Sequence, residues 1–268
     1  MASSSVTTSS ESRLDRTWQE LRARGRTALV PFLTAGHPDR NASLAALRAA
    51  AEFADIIEIG VPFSDPLADG PTIQAATFRA LEQGMTLPRT LELIDEARLD
   101  IPVVLFSYLN PILQYGVDRL VTDAASLGIA GLLLTDLPAG ADRDIERTVI
   151  DSPLDLIRLV APTSSADRIG RAVADAEGFI YLVSRLGVTG VAESLASGLA
   201  DSVAAVRKET TLPIAVGFGI SNPEQATSVA RLADGVVVGS ALVATLERDG
   251  VAAMASLLGS LREAIDAA

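Results

Sequence analysis

The chain has 268 residues, 49% of them apolar, with a net charge of −12 and no cysteine; its mean hydropathy is +0.33. That apolar content supplies one large core and excludes disorder for most of the chain, while the missing cysteines exclude disulfides, thiolate metal sites and a cysteine nucleophile. The acidic balance argues against non-specific nucleic-acid binding, which needs a basic footprint, and no apolar run reaches the ~18 residues of a membrane span.

The Ser/Thr-rich start has no apolar segment of the secretory type. Residues 1–12 therefore read as a disordered leader and residues 13–268 as one domain, expected in the cytoplasm. A first helix is expected over Arg13–Arg24. From there, eight short apolar runs alternate with helical stretches: Thr27–Phe32, Ile56–Gly60, Pro102–Phe106, Gly131–Thr135, Asp155–Val160, Phe179–Val183, Pro213–Gly217 and Gly235–Gly239. Most are near-continuously apolar, as strands covered on both faces must be, which favours a parallel sheet. Between them, Asp118–Gly128 reads as a helix ending in a glycine suited to the left-handed position after a helix. Asn222-Pro-Glu-Gln225 opens another, with a capping Asn and Pro at the first helical position. No linker interrupts the series. Eight βα units predict an α/β fold, a single (β/α)8 barrel with an extra N-terminal helix. A doubly wound sheet is the alternative, but Thr34-Ala-Gly-His-Pro38 is not the glycine-rich turn it needs after its first strand.

In such a barrel the chemistry sits where strands end and βα loops begin. Glu58 is a carboxylate inside an apolar run, costly unless paired or protonated. Burial raises a carboxyl pKa towards neutrality, which suits a group that gives and takes protons; an ion-paired structural acid is the plainer reading. Asp69 follows in the next loop, where it could meet Glu58 across the mouth, or serve only the turn before Gly70-Pro71. Strand three ends in Tyr108 and Asn110, strand four in Asp136-Leu-Pro138, and strand six contains Tyr181. The glycines of Gly217-Phe-Gly-Ile-Ser221 and Gly239-Ser240 stand before helix starts. There, close backbone approach and free N–H groups suit a phosphate, although each glycine also fits a plain turn.

Arithmetic removes several mechanisms. Lys208 is the only lysine and lies late in a helical stretch leading into strand seven, at the wrong end of the barrel for a Schiff base. His37, beside Pro38, is the only histidine, too few for a histidine-rich metal site, and reads as a turn residue. No nucleophile elbow or P-loop is present. What remains is a phosphate-anchored reaction run by carboxylates, with no metal expected.

The loop Glu58-Ile-Gly-Val-Pro-Phe-Ser-Asp-Pro-Leu-Ala-Asp-Gly-Pro-Thr-Ile-Gln74 closely resembles the tryptophan synthase alpha chain family. Val30-Pro-Phe-Leu-Thr-Ala-Gly36, Tyr108-Leu-Asn110, Asp136-Leu-Pro138, Ser184-Arg-Leu-Gly-Val-Thr-Gly190, Gly217-Phe-Gly-Ile-Ser221 and Gly239-Ser240 resemble it in the same order. The resemblance implies retro-aldol cleavage of indole-3-glycerol phosphate to indole and glyceraldehyde 3-phosphate, in tryptophan biosynthesis. It implies Glu58 as acid–base group, Asp69 as stabiliser of the positive indole nitrogen, and Tyr181 as an active-site tyrosine. Thr189 matches a mobile-loop threonine, and Gly190, Gly219, Gly239 and Ser240 match phosphate contacts, with Phe32 and Phe218 in the apolar wall. It further implies a beta-chain partner in an αββα assembly, faced by loops carrying Asp65 and Asn110. Pyridoxal phosphate would belong to that partner, with no cofactor in this chain. A standalone indole-releasing lyase and an inert scaffold subunit are the competing readings.

Overall fold

A computed structural model describes residues 11–183, 192–217 and 219–268, without the side chains of residues 192–197. Its eight strands are β1 (Ala28–Thr34), β2 (Ile57–Gly60), β3 (Val103–Ser107), β4 (Gly131–Leu134), β5 (Asp155–Val160), β6 (Ile180–Val183), β7 (Ile214–Gly217) and β8 (Gly235–Val238). They pair in parallel in chain order and close with β8 against β1. All eight expected runs are strands of this (β/α)8 barrel. Their ends move by up to two residues, as is usual where pairing rather than composition sets the limit.

The helices are α1 (Arg13–Ala23), α2 (Arg40–Ala51), α3 (Pro71–Glu82), α4 (Leu87–Ala97), α5 (Leu109–Tyr115), α6 (Val117–Ser126), α7 (Arg143–Ile150), α8 (Ala166–Ala174), α9 (Ala192–Glu209), α10 (Pro223–Ala230) and α11 (Ser240–Asp266). Asn222 caps α10 as expected, its side chain accepting from the Gln225 amide. Lys208 lies in the last turn of α9, leading into β7 and away from the strand ends.

Side chains alternate across each strand. Leu29, Ile57, Leu105, Leu156, Val216 and Val236 pack outward beneath the helices. Val30, Val104, Leu133, Ile157, Tyr181 and Val237 point into the barrel. The foot of the barrel is closed by α1, whose Leu14, Trp18 and Leu21 join that inner cluster with Phe179. Room for the helix comes from Gly235 and Gly131: a Cβ on Gly235 would lie 2.9 Å from the Trp18 ring, and one on Gly131 3.1 Å from Leu14. Ser12 caps α1 by accepting from the Asp15 amide, and its hydroxyl donates to Asp155 of β5 at 2.7 Å.

The end of α11 is tied to the same face. Arg262 reaches Asp55 at 3.0 Å and donates to the Thr27 carbonyl, while Asp55 also accepts from the Leu29 amide. Both side chains are about nine-tenths buried, so removing Arg262 leaves Asp55 with only the outer Arg26, at 3.2 Å, to balance its charge. Replacing Arg262 with Met should therefore lower unfolding free energy by about 3 kcal/mol. A second change, Asp55→Asn, should recover part of that loss, as chemical denaturation of the single and double variants will measure.

Candidate active site

Glu58 stands on β2 in register with Phe32 of β1 and Val104 of β3, an inward position by the strand alternation. It is fully buried, and among the described residues neither carboxylate oxygen has a hydrogen-bond partner. Among the described residues no cation pairs with it, against the ion-paired reading. Burial alone pushes its pKa up to about 8, so the group is mainly protonated at neutral pH.

The layer around it is built from aromatic rings and glycines. Phe32 meets Phe106 edge-on with centroids 5.1 Å apart, and Phe106 meets Tyr181 at 6.5 Å. A Cβ on Gly60 would lie 2.5 Å from the Phe32 ring, one on Gly217 would collide with the Tyr181 hydroxyl, and one on Gly239 would touch Phe32 at 3.4 Å. These three glycines leave the space that the aromatic side chains occupy. Burial raises the Tyr181 pKa, and the carboxylates of Glu58 and Asp69 raise it further. The phenol is thus a proton donor that does not titrate, and the three groups share one neighbourhood.

Asp69 lies half-buried at the end of the long β2–α3 loop. The loop is drawn tight by its own turn, the Asp69 amide donating to the Pro66 carbonyl at 3.1 Å. Gln74 of α3 donates to the carbonyls of Pro66 and Asp69. Burial lifts the Asp69 pKa to about 6, opposed by a hydrogen bond from the Tyr108 side chain. Its charge is also near enough to Tyr181 to help raise the phenol pKa. Tyr108 is the participant given no role in the sequence reading. Its place at the end of strand three was the available signal, because a polar group there faces the mouth.

The remaining sites are less uniform. Gly219 has a left-handed backbone with φ +81°, a conformation that suits glycine. Gly239 precedes α11, whose first amides, from Ser240 on, have no partner within the helix. These amides and the exposed Ser240 hydroxyl form a donor set at the positive end of a helix dipole. Thr189, Gly190 and Phe218 lie outside the described residues. Asp65 is exposed in the β2–α3 loop. Asn110 is exposed too, but it sits in α5 rather than in a loop, because that helix starts two residues after β3 ends. His37 follows β1 as a turn residue, its amide donating to the Thr34 carbonyl at 3.2 Å; it is also buried, with Nε2 3.2 Å from the Glu247 carboxylate of α11, and burial lowers its pKa. Among the described residues, no three His, Cys, Asp or Glu side chains group as a metal site, and no helix is long and apolar enough to cross a membrane.

The family model described as tryptophan synthase alpha chain matches residues 18–264. The tryptophan synthase alpha chain of Synechococcus elongatus is 50% identical over 250 residues, covering 92% of this chain and 94% of that one. That of Geobacter sulfurreducens is 46% identical over 261 residues, covering 95% and 99%. Among solved structures, tryptophan synthase subunit alpha from Legionella pneumophila superposes with a TM-score of 0.89 at 35% identity, covering 97% of this chain and all of that one. A chain of M. tuberculosis tryptophan synthase in its open form gives 0.87 at 37% identity, covering 95% and 99%. With a family model spanning nearly its whole barrel and relatives at this identity, the chain belongs to the tryptophan synthase alpha chain family.

Proposed function

We propose that the chain works as a carbon–carbon lyase in tryptophan biosynthesis, cleaving indole-3-glycerol phosphate to indole and glyceraldehyde 3-phosphate by proton transfer between its own side chains and the substrate. The observation that carries this reading is the carboxyl of Glu58, buried without a partner among the described residues beside Tyr181, a phenol that Asp69 also influences. A group with a pKa of about 8 holds a proton at neutral pH and can both give it and take it back.

Glu58 gives its proton to the indole carbon that bears the glycerol chain. The positive charge that appears on the ring nitrogen is stabilised by the Asp69 carboxylate. Glu58, now ionised, takes the proton of the adjacent glycerol hydroxyl. As that carbon becomes an aldehyde, the carbon–carbon bond breaks and its electron pair restores the aromatic indole. Glu58 ends protonated, so the proton balance closes. Tyr181, kept protonated, donates to whichever carboxylate is charged. Phe32 supports the ring through apolar contact, and Gly219, Gly239 and Ser240 take the phosphate at the α11 N-terminus. Thr189, Gly190 and Phe218 enter this reading on resemblance alone.

The M. tuberculosis relative was solved as tryptophan synthase, including an aminoacrylate-bound form. By that likeness the chain docks a beta chain in an αββα assembly, with pyridoxal phosphate on the partner. The docking surface in this reading is the rim that carries Asp65 and Asn110. Leu67 at 82% and Leu113 at 49% exposure stand on the same two segments, and large apolar side chains left in water are what a partner covers.

Purified chain should release indole from indole-3-glycerol phosphate slowly, and strongly faster with beta chain added. Fast release indifferent to beta identifies a standalone lyase, and no release in either condition ends the enzymatic reading. Glu58→Gln should cost at least about 100-fold in kcat. The same variant should melt no lower than the parent, because an amide is cheaper than a carboxyl to bury unpartnered; a calorimeter and an indole assay test both halves.

The pH dependence follows from the two carboxyls. Asp69 must be ionised, so kcat/KM should fall below about pH 6, where it protonates. Glu58 must be protonated, so kcat/KM should fall above about pH 8. A bell-shaped profile with these limbs is expected in the isolated chain, and Asp69→Asn should lose nearly all cleavage.

A further inference from the structure

We propose that Thr34, the last residue of β1, sets specificity for the glycerol chain of the substrate: its hydroxyl pairs with the hydroxyl on the middle glycerol carbon. The reaction proposed above assigns that group no partner. The inference rests on that reaction and deepens it.

The side chain belongs to the inward face of β1. Leu29 and Leu33 pack outward beneath the helices, while Val30 and Phe32 point inward, and Thr34 continues the inward series. Its register partner is Gly60, one inward layer nearer the mouth than the pair of Phe32 and Glu58. The backbone on both sides is held. The Ala35 amide donates to the Gly60 carbonyl at 3.0 Å, and the His37 amide donates to the Thr34 carbonyl at 3.2 Å.

A hydroxyl is costly at this position. Thr34 is 3% exposed, and among the described residues its Oγ1 has no hydrogen-bond partner. Burying a hydroxyl unpaired destabilises the fold, and valine, of nearly the same shape, would remove that cost. The Glu58 oxygens on the neighbouring strand are in the same condition. Two polar groups that the protein leaves unsatisfied thus stand on adjacent strands, in successive inward layers of one mouth. A ligand with matching polar groups completes such a site, and an analogue lacking them is rejected.

Strand order says which part of the ligand lies there. β1 stands between β8 and β2. Gly239 and Ser240, the proposed phosphate donors, follow β8, and Glu58, proposed to act on the hydroxyl next to the ring, is on β2. Phe32 spans this interval from β1: a Cβ on Gly239 would touch it at 3.4 Å, and one on Gly60 would lie 2.5 Å from its ring. A glycerol chain held through its phosphate at β8 and at its other end by β2 therefore crosses in front of β1. Its middle carbon then lies nearest Thr34. A hydroxyl both donates and accepts, so Thr34 can pair with that alcohol without competing for the proton that Glu58 moves.

The test compares the parent, Thr34→Val and Thr34→Ser on indole-3-glycerol phosphate, on its deoxy form lacking only the middle hydroxyl, and on indole-3-propanol phosphate, which has neither hydroxyl. The parent should cleave the full substrate with kcat/KM about tenfold above the deoxy form, as expected for one hydrogen bond between uncharged groups. Thr34→Val should lose that preference, stay within about twofold of the parent on the deoxy form, and melt no lower. By calorimetry it should bind the propanol phosphate as the parent does. Thr34→Ser should keep most of the preference. A valine variant that still prefers the full substrate tenfold overturns the proposal. So does an equal loss on all three phosphates, which marks a defect of shape, or a serine variant no better than valine. If the valine variant does not fold, the parent decides: indifference to the middle hydroxyl overturns the proposal. If the parent cleaves neither substrate, the reading of the reaction fails instead. Calorimetric binding of the full and deoxy phosphates to the parent and Thr34→Val then still decides whether Thr34 holds the hydroxyl.

Discussion

Closing eight parallel strands into a barrel forces every second side chain into one interior, and the site depends on how that space is filled. At the mouth-end layer the packing is large against small: Phe32 lies over Gly60 and Gly239, and Tyr181 over Gly217. A layer filled in this way leaves Glu58 no water and no partner. Its raised pKa is a property of the barrel rather than of the glutamate. The free energy lost in burying it is offset by the apolar layers below, where Val30, Val104 and Ile157 meet the plug helix.

The architecture was legible because its signals are local. Strands buried on both faces read as apolar runs, and a glutamate inside one such run marks itself. The capping Asn222 and the glycines at Gly219 and Gly239 are likewise features of a few adjacent residues. What could not be read are pairings made by closure. Ala68 and Tyr108 are 40 positions apart, and Arg262 and Asp55 are 207. Asp69 could be read as turn or as chemistry because the sequence holds no trace of which ring faces it. Asn110 was misread as a loop residue because α5 begins almost without a connection. His37 was legible as a turn residue, but not its neighbour Glu247, which comes from the far end of the chain.

The two ends of the barrel are built from different materials. The foot is held by buried ion pairs and the side chains of α1, which suits stability. The mouth is held by hydrogen bonds that run from loop to loop. Tyr108 links the β2–α3 loop to β3, and Asp136 links the start of α5 to the loop after β4. Arg158 of β5 donates to the Leu137 carbonyl and pairs with Glu146, which in turn accepts from the Gly140 amide. The connection is continuous from the loop that carries Asp69 to α7. Asn110, two residues from Tyr108, belongs to it, so a partner pressing on α5 acts on a chain of contacts that includes Asp69.

The helix at the foot has a further consequence for traffic. With Trp18 stacked near Phe179 and Leu14 filling the space above Gly131, α1 stoppers the foot of the barrel. Substrate enters, and both products leave, past the same rim. Any body that covers this rim bears on where indole goes next, because the foot is filled by the side chains of α1.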